Sequence, residues 1–202
     1  MPVTLALELS NSTCTVAVHS DSVFHQQDFS DQRGRGVMCA IEKILNDCSI
    51  MPTQLEGIYV GIGPGSYTGL RIACSAATML AYSLNIECHG VSSFEAMAWR
   101  VAQQQPISIL LDAYRQQYYH AKYAIEDGQL IVVQQAQIIE QDDWQDGDAA
   151  MTPNTTAKDI LKFIIDYVSK HPDYGSNHLF KAEPLYLRPP AFRQQKKRTR
   201  LN

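Results

Sequence analysis

A chain of 202 residues, 45% hydrophobic and 19% charged, can form one ordinary domain or two small lobes and bury about 70% of its unfolded surface. That apolar fraction excludes a disordered polymer, and 11 glycines with 9 prolines exclude a collagen-like or linker-dominated one. The formal net charge of −4 is uneven: residues 193–202 carry Arg193, Lys196, Lys197, Arg198 and Arg200, which leaves 12 basic against 21 acidic residues in 1–192. The body therefore repels polyanions on average, while the tail reads as a solvated, mobile segment able to touch one.

The longest uncharged stretch, Ile72 to Ile86, is interrupted by Ser75, Thr78, Ser83 and Asn85, and is too short and polar to span a bilayer. The opening MPVTLALELS alternates like a strand and has no basic segment before its apolar run. A soluble, cytoplasmic protein without a signal peptide is the expectation. Five cysteines, Cys14, Cys39, Cys48, Cys74 and Cys88, are an odd number without C-x-x-C spacing, so free thiols are expected rather than a disulfide framework or a zinc site. The six histidines are scattered and receive no chemistry.

In chain order, Val3, Leu5, Leu7 and Leu9 alternate with Thr4, Ala6 and Glu8 and predict a first strand. Strands at Cys14 to His19 and Val23 to Phe29 follow, divided by turns at Asn11-Ser12-Thr13 and Ser20-Asp21-Ser22. Gly34 and Gly36 break the chain before a helix in which Val37, Ile41, Ile44, Leu45 and Cys48 share a face, ending before Pro52. Ile58 to Ile62 predicts a short buried strand, and Leu70, Ala73, Ala77, Leu80, Ala81 and Leu84 a second helix. A second unit is expected to open with a strand at Cys88 to Val91 and a helix capped by Ser92 and Glu95, running to about Gln103. Ile107 to Leu111 is the next strand, and Tyr118 to Ile125 with Leu130 to Val133 form a hairpin around Asp127-Gly128. An acidic loop, Glu140 to Asp148, precedes a helix in which Ile160, Phe163, Ile164, Tyr167 and Val168 share a face. This order predicts a three-layer α/β architecture.

A strand ending in a carboxylate and followed by a hairpin occurs twice, at Leu5 to Leu9 with Glu8 and at Ile107 to Leu111 with Asp112. Such a repeat suggests the duplicated scaffold of sugar kinases, actin and the Hsp70 ATPase. In that scaffold an acidic residue near each turn serves a metal-bound phosphate, and neighbouring glycines admit backbone donors. Here the turns read Glu8-Leu9-Ser10-Asn11 and Asp112-Ala113-Tyr114-Arg115, without glycine, so Glu8, Ser10 and Asp112 are expected to be degenerate phosphate-loop positions.

The most distinctive segment is Gly61-Ile62-Gly63-Pro64-Gly65-Ser66-Tyr67-Thr68-Gly69-Leu70-Arg71. It runs from a strand into a helix, where backbone donors favour an anion. It lacks the G-K-[ST] of a P-loop, the third glycine of a dinucleotide fingerprint and the flanking glycines of a nucleophile elbow. A tight turn with Thr68 capping the helix is the purely structural alternative.

This run closely resembles the G-x-G-P-G-S-[FY]-T-G-[LV]-R-I signature of the bacterial TsaB (YeaZ) family, of actin/Hsp70-like ATPase fold and once labelled a glycoprotease homologue. The likeness extends to Glu8-Leu9-Ser10, Gly90-Val91-Ser92-Ser93, Leu111-Asp112-Ala113 and Pro184-Leu185-Tyr186-Leu187-Arg188, and so spans most of the chain. Glu8 stands where the family usually has aspartate, and the segment from Glu140 to Thr156 is short. The resemblance implies two lobes of mixed sheet, at 1–86 and 87–192, with a basic mobile tail at 193–202. It implies the signature loop Gly61, Gly63, Gly65, Ser66, Thr68, Gly69 and Arg71, no catalytic residue and no metal.

It further implies a non-catalytic scaffold needed for threonylcarbamoyladenosine in tRNA, next to the anticodon, stabilising and positioning the catalytic subunit TsaD. The ATPase TsaE is a further implied partner, as is a second copy of the chain when it is alone. Contact with tRNA is implied only within the complex and contact with membrane not at all. No cofactor is expected on this subunit alone; ATP and magnesium serve the assembled complex. The alternative is an ATP-binding phosphotransferase or ATPase of the same fold. Met38, Ile41, Leu45, Ala76, Met79 and Tyr82 lie on two helices richer in apolar residues than one core-facing stripe needs, and are the expected partner interface.

Overall fold

The computed structural model describes residues 2–30, 36–101, 105–144, 150–151, 154–171 and 179–188. The basic tail at 193–202, the loop at 31–35 and most of the acidic loop lie outside the described residues. A first sheet contains β1 (Thr4–Glu8), β2 (Cys14–Ser20), β3 (Val23–Phe29), β4 (Gly57–Gly61) and β5 (Glu87–Val91), in the order β3-β2-β1-β4-β5. Its first three strands form an antiparallel meander, and β4 and β5 add in parallel on the other side of β1. The second sheet runs β8-β7-β6-β9, from β6 (Ile107–Asp112), β7 (Gln117–Glu126), β8 (Gln129–Glu140) and β9 (Ala150–Met151). It repeats the same plan, with two antiparallel pairs and a parallel strand beside the first. This is the duplicated actin-like α/β topology expected from the repeated strand-and-hairpin.

The meander turns follow their sequences. Asp21 and Ser22 (φ 47° and 67°), and Asp127 and Gly128 (φ 49° and 76°), make two-residue hairpin loops whose left-handed residues match the twist of the strands. Helix α1 (Gly36–Asp47) and helix α2 (Tyr67–Leu84) cover one face of the first sheet, where Leu5, Leu7, Val16, Val18, Ile58 and Val60 meet Ile41, Ile44, Leu45, Ala73 and Ala77. Asn85, left-handed at φ 54°, ends α2 and donates its N–H to Ala81.

The opposite face is buried as well. Ala6 and Ala17 pair across β1 and β2, both fully buried, and their small side chains admit α4 (Ala157–Lys162) against the sheet. Helix α3 (Ser93–Val101) lies beside α4, and the two share a core with Ile109, Ala121, Tyr123 and Leu130 of the second sheet. The molecule is thus four layers, helix–sheet–helix–sheet, rather than three. The difference arises because both faces of β1 are apolar or internally satisfied.

Two boundaries differ from expectation. β5 closes the first sheet instead of opening a second unit, because it pairs in parallel with β4 from Gly57/Glu87 to Gly61/Val91; the first lobe extends past residue 86. β8 runs seven residues beyond Val133, since its glutamine-rich half pairs with Gln117 to Lys122. The last helix begins at Ala157, with Thr156 and Asp159 forming a reciprocal cap, and continues as a π turn and a 3₁₀ turn to Lys170. The connection that carries α1 in the first sheet is reduced in the second to residues 141–149, shorter than the twelve residues of α1.

A Cβ on Gly69 stands 1.9 Å from the Leu9 carbonyl oxygen, whereas one on Gly128 meets nothing within 4 Å. Gly69→Ala is expected to destabilise the fold by about 3 kcal/mol or more, because backbone blocks relaxation. Gly128→Ala is expected to cost only about 1 kcal/mol, from its left-handed φ. Urea unfolding of both variants checks the difference.

Candidate functional site: the inter-lobe cleft

Between the two sheets' hairpin ends lies a cavity of about 920 Å³. Its first-lobe wall is Ser10 to Ser12 and Gly65 to Thr68, and its second-lobe wall runs from Leu111 to Arg115 with Tyr118 and Tyr119. Leu185 to Arg188 cross its mouth. Of the residues read as phosphate-loop positions, Ser10 and Asp112 line it.

Glu8 does not face the cleft. It is fully buried, accepts the Ser10 N–H at 2.7 Å on Oε1 and the Ser93 hydroxyl at 2.6 Å on Oε2. Ser93 Oγ in turn accepts the Gly63 N–H at 3.2 Å, and Thr155 Oγ1 donates to the Ser93 carbonyl at 3.0 Å. Desolvation raises the Glu8 pKa above the ordinary carboxylate value, against hydrogen bonds from Ser10 and Ser93 that lower it. Glu8 thereby ties β1 to the start of α3.

The signature glycines serve the same junction. Added Cβ atoms would lie 2.1 Å from Glu8 Oε2 at Gly61, 2.4 Å from the Ser10 carbonyl oxygen at Gly65 and 1.9 Å from the Leu9 carbonyl oxygen at Gly69. Three glycines spaced by four residues therefore clear the way for three consecutive residues at the end of β1. Their neighbours' amides are engaged: Ser66 N–H donates to Ser10 O at 2.7 Å, Gly69 N–H to Ser66 Oγ at 3.2 Å and Leu70 N–H to Ser66 O at 2.9 Å. Ser66, not Thr68, is the N-cap of α2, since its side chain is the one placed to accept from Gly69. Thr68 instead lines the cleft. Arg71 sits 4.8 Å over the Tyr67 ring.

Asp112 is exposed on the cleft wall and accepts the Tyr114 N–H at 2.7 Å. Beyond it Tyr114, Arg115 and Gln116 adopt φ of 58°, 59° and 59°, three left-handed residues in a row without glycine. Each such residue costs about 1–2 kcal/mol. The loop is held by Ala113 N–H on Gln117 O at 2.9 Å and Gln141 N–H on Gln116 O at 2.8 Å.

The C-terminal segment is a strap that the sequence alone did not reveal as part of the site. Phe180 pairs with Gly90, Leu185 N–H donates to Ile62 O at 2.8 Å, and the Tyr186 ring stacks on Tyr67 at 4.9 Å. Arg188 then donates to Ala113 O at 3.1 Å and to the Gln117 side chain. The motif P-L-Y-L-R thus joins first-lobe loop to second-lobe hairpin; its one signal in sequence is its place in the family pattern. Ser93 and Thr155, which complete the Glu8 network, carry no signal separable from helix capping.

The expected interface residues divide. Ile41 and Leu45 are each 2% exposed and belong to the core, a correction for both: α1 turns its Leu45 side onto the sheet, where it packs with Ile44. Met38, Met79 and Tyr82 are exposed at 48%, 73% and 88%, and Ala76 is half-buried.

Residues 27–173 match the family model described as TsaD, tRNA N6-adenosine threonylcarbamoyltransferase. Together with the signature run and the strap motif, that places the chain. It belongs to the TsaB (YeaZ) family. The tRNA threonylcarbamoyladenosine biosynthesis protein TsaB of Bacillus subtilis is 37% identical over 144 residues, 69% of this chain and 63% of that protein. The protein of the same name in Escherichia coli is 27% identical over 124 residues, 59% of this chain and 54% of that one. The chain spans about three fifths of the length of the curated relatives it matches. The solved structure of YeaZ from Pseudomonas aeruginosa superposes with a TM-score of 0.74 at 19% identity, over 93% of this chain and all of that one. It shares the fold. Among the described residues no helix is long and apolar enough to cross a membrane.

Glu8→Gln tests the buried carboxyl. A raised folded-state pKa means that the native protein holds its proton more tightly than the unfolded chain, so the Glu8 contribution is fully present below the unfolded value and is lost as pH rises. Relative to wild type, Glu8→Gln should gain stability as pH increases from about 4.5 through neutrality. Denaturant melts at acid and neutral pH measure it, and a difference independent of pH would refute the assignment.

Proposed function

We propose that this chain is a non-catalytic partner subunit in forming threonylcarbamoyladenosine in tRNA, at the adenosine next to the anticodon. It stabilises and positions a TsaD-like catalytic subunit. The observation that carries this reading is the commitment of Glu8 and of the Gly63, Ser66, Gly69 and Leu70 amides to internal bonds, which withholds them from a phosphate. Family membership supplies the pathway, and the names of the Bacillus and Escherichia relatives support it.

The docking surface is the exposed side of α2, with Met79 and Tyr82, extended by Met38 from α1. Large apolar side chains this open are what a partner buries, and methionine adapts to its surface. The same surface serves a second copy when the chain is alone, so homodimer and heterodimer compete. A TsaE-like ATPase joins the heterodimer, ATP and magnesium are used by that assembly rather than by this subunit, and tRNA is met only there, in the cytoplasm. The exposed carboxylate of Asp112 in the cleft favours the second reading, an ATPase or phosphotransferase.

Mixing the chain with its TsaD-like partner should give a heterodimer by size exclusion with light scattering. Met79→Glu should weaken it at least about tenfold, or roughly 1.4 kcal/mol, without loss of folding. A folded variant of wild-type affinity would show the surface to be misplaced. The chain alone should not turn over ATP; steady hydrolysis abolished by Asp112→Ala would establish the second reading instead.

A further inference from the structure

Glu8 and several amides of the signature loop are bonded internally, yet among the described residues the cleft beside them is neither filled nor apolar. Five tyrosines line it: Tyr67 from the start of α2, Tyr114, Tyr118 and Tyr119 from the β6–β7 hairpin, and Tyr186 from the strap. Tyr114 is 75% exposed, on a loop held in a left-handed conformation, and Tyr67 and Tyr186 form a stacked pair with edges open to solvent. Of the two arginines in the wall, Arg188 is engaged by Ala113 and Gln117. Arg115 makes no hydrogen bond or ion pair among the described residues. Asp112 keeps an outward carboxylate beside them, with one oxygen on the Tyr114 N–H.

Aromatic walls stack on any flat base, and a lone guanidinium binds one phosphate in a forked geometry. A volume of about 920 Å³ is ample for a nucleotide. We propose that the cleft binds a single nucleotide unit, a base stacked by Tyr114 and the Tyr67–Tyr186 pair with one phosphate on Arg115. The unit comes either as a free nucleoside monophosphate or as an unstacked nucleotide of single-stranded RNA. Charge sets the limit at one phosphate: among the described residues the wall offers one unengaged cation, Arg115, and Asp112 repels further anionic groups. Its carboxylate instead accepts from a ribose hydroxyl or a base amine. The site lies in the cleft rather than on the exposed side of α2, so it stands or falls independently of partner docking.

The test titrates the full chain, without partner, with adenosine, AMP, ATP and a pentaadenylate RNA, followed by calorimetry and tyrosine fluorescence. AMP should bind more tightly than adenosine, ATP no more tightly than AMP, and Tyr114→Ala should weaken AMP about tenfold while Tyr114→Phe does not. Arg115→Gln should weaken AMP to the level of adenosine and leave adenosine unchanged. Both positions are exposed, and thermal melts confirm that the variants fold. Binding of the RNA at least about tenfold tighter than AMP identifies an RNA segment as the source; equal or weaker binding identifies the free nucleotide. Absence of AMP and RNA binding up to about 5 mM overturns the proposal. So does binding unchanged by Tyr114→Ala and Arg115→Gln, or ATP bound far more tightly than AMP.

Discussion

The close approach of the signature loop to the end of β1 is the constraint on which the rest depends. Glu8, Leu9 and Ser10 press against Gly61, Gly69 and Gly65, and any side chain at those glycines would enter the space of a carboxylate or a carbonyl oxygen. At Gly65 and Gly69 the nearest atom is a backbone carbonyl oxygen, so neither side of this contact can yield there by changing a rotamer. It fixes the first turn of α2, and with it the exposed side of that helix. Through Ser93 it also fixes α3, which carries the core toward the second sheet.

A carboxylate in that position could have been a metal ligand. Burial makes it a strut. Taking Glu8 out of water is costly, and the donors from Ser10 and Ser93 offset the cost only by being internal. The longer reach of glutamate over aspartate carries the carboxyl past the turn to Gly61, where the missing Cβ leaves room for it. The bonds that keep Glu8 inside are the same ones that tie β1 to α3. The strap completes this junction from the other side: Tyr186 on Tyr67 and Arg188 on the β6–β7 hairpin connect the two walls that a moving nucleotide cleft would separate.

Reduction of the second sheet has a related effect. Residues 141–149 are fewer than the twelve of α1, and among the described residues no such helix covers the outer face of the second sheet; Trp144 packs edge-on to His120 there. The helices that a complete second lobe would divide between its faces are shared as one layer, α3 and α4, between the sheets.

Periodicity and turn chemistry determined the strands at Thr4–Glu8, Val23–Phe29 and Ile107–Asp112, both two-residue hairpin turns and the two long helices, because these depend on neighbours within a few residues. The signature run and the terminal P-L-Y-L-R determined the family. Sequence could not decide that Ser66 rather than Thr68 caps α2, since both hydroxyls stand at plausible positions and only the approach of Ser10 selects one. It could not assign β5 to the first sheet, because a short parallel strand carries no mark of its partner. Nor could it place Leu45 in the core and Met79 in solvent, on helices apolar on most sides, since the sheet alone chooses which side faces inward. Above all, the direction of Glu8, away from the cleft and into the body of the protein, was decided by Ser93, a residue 85 positions along the chain, and by the space that Gly61 leaves.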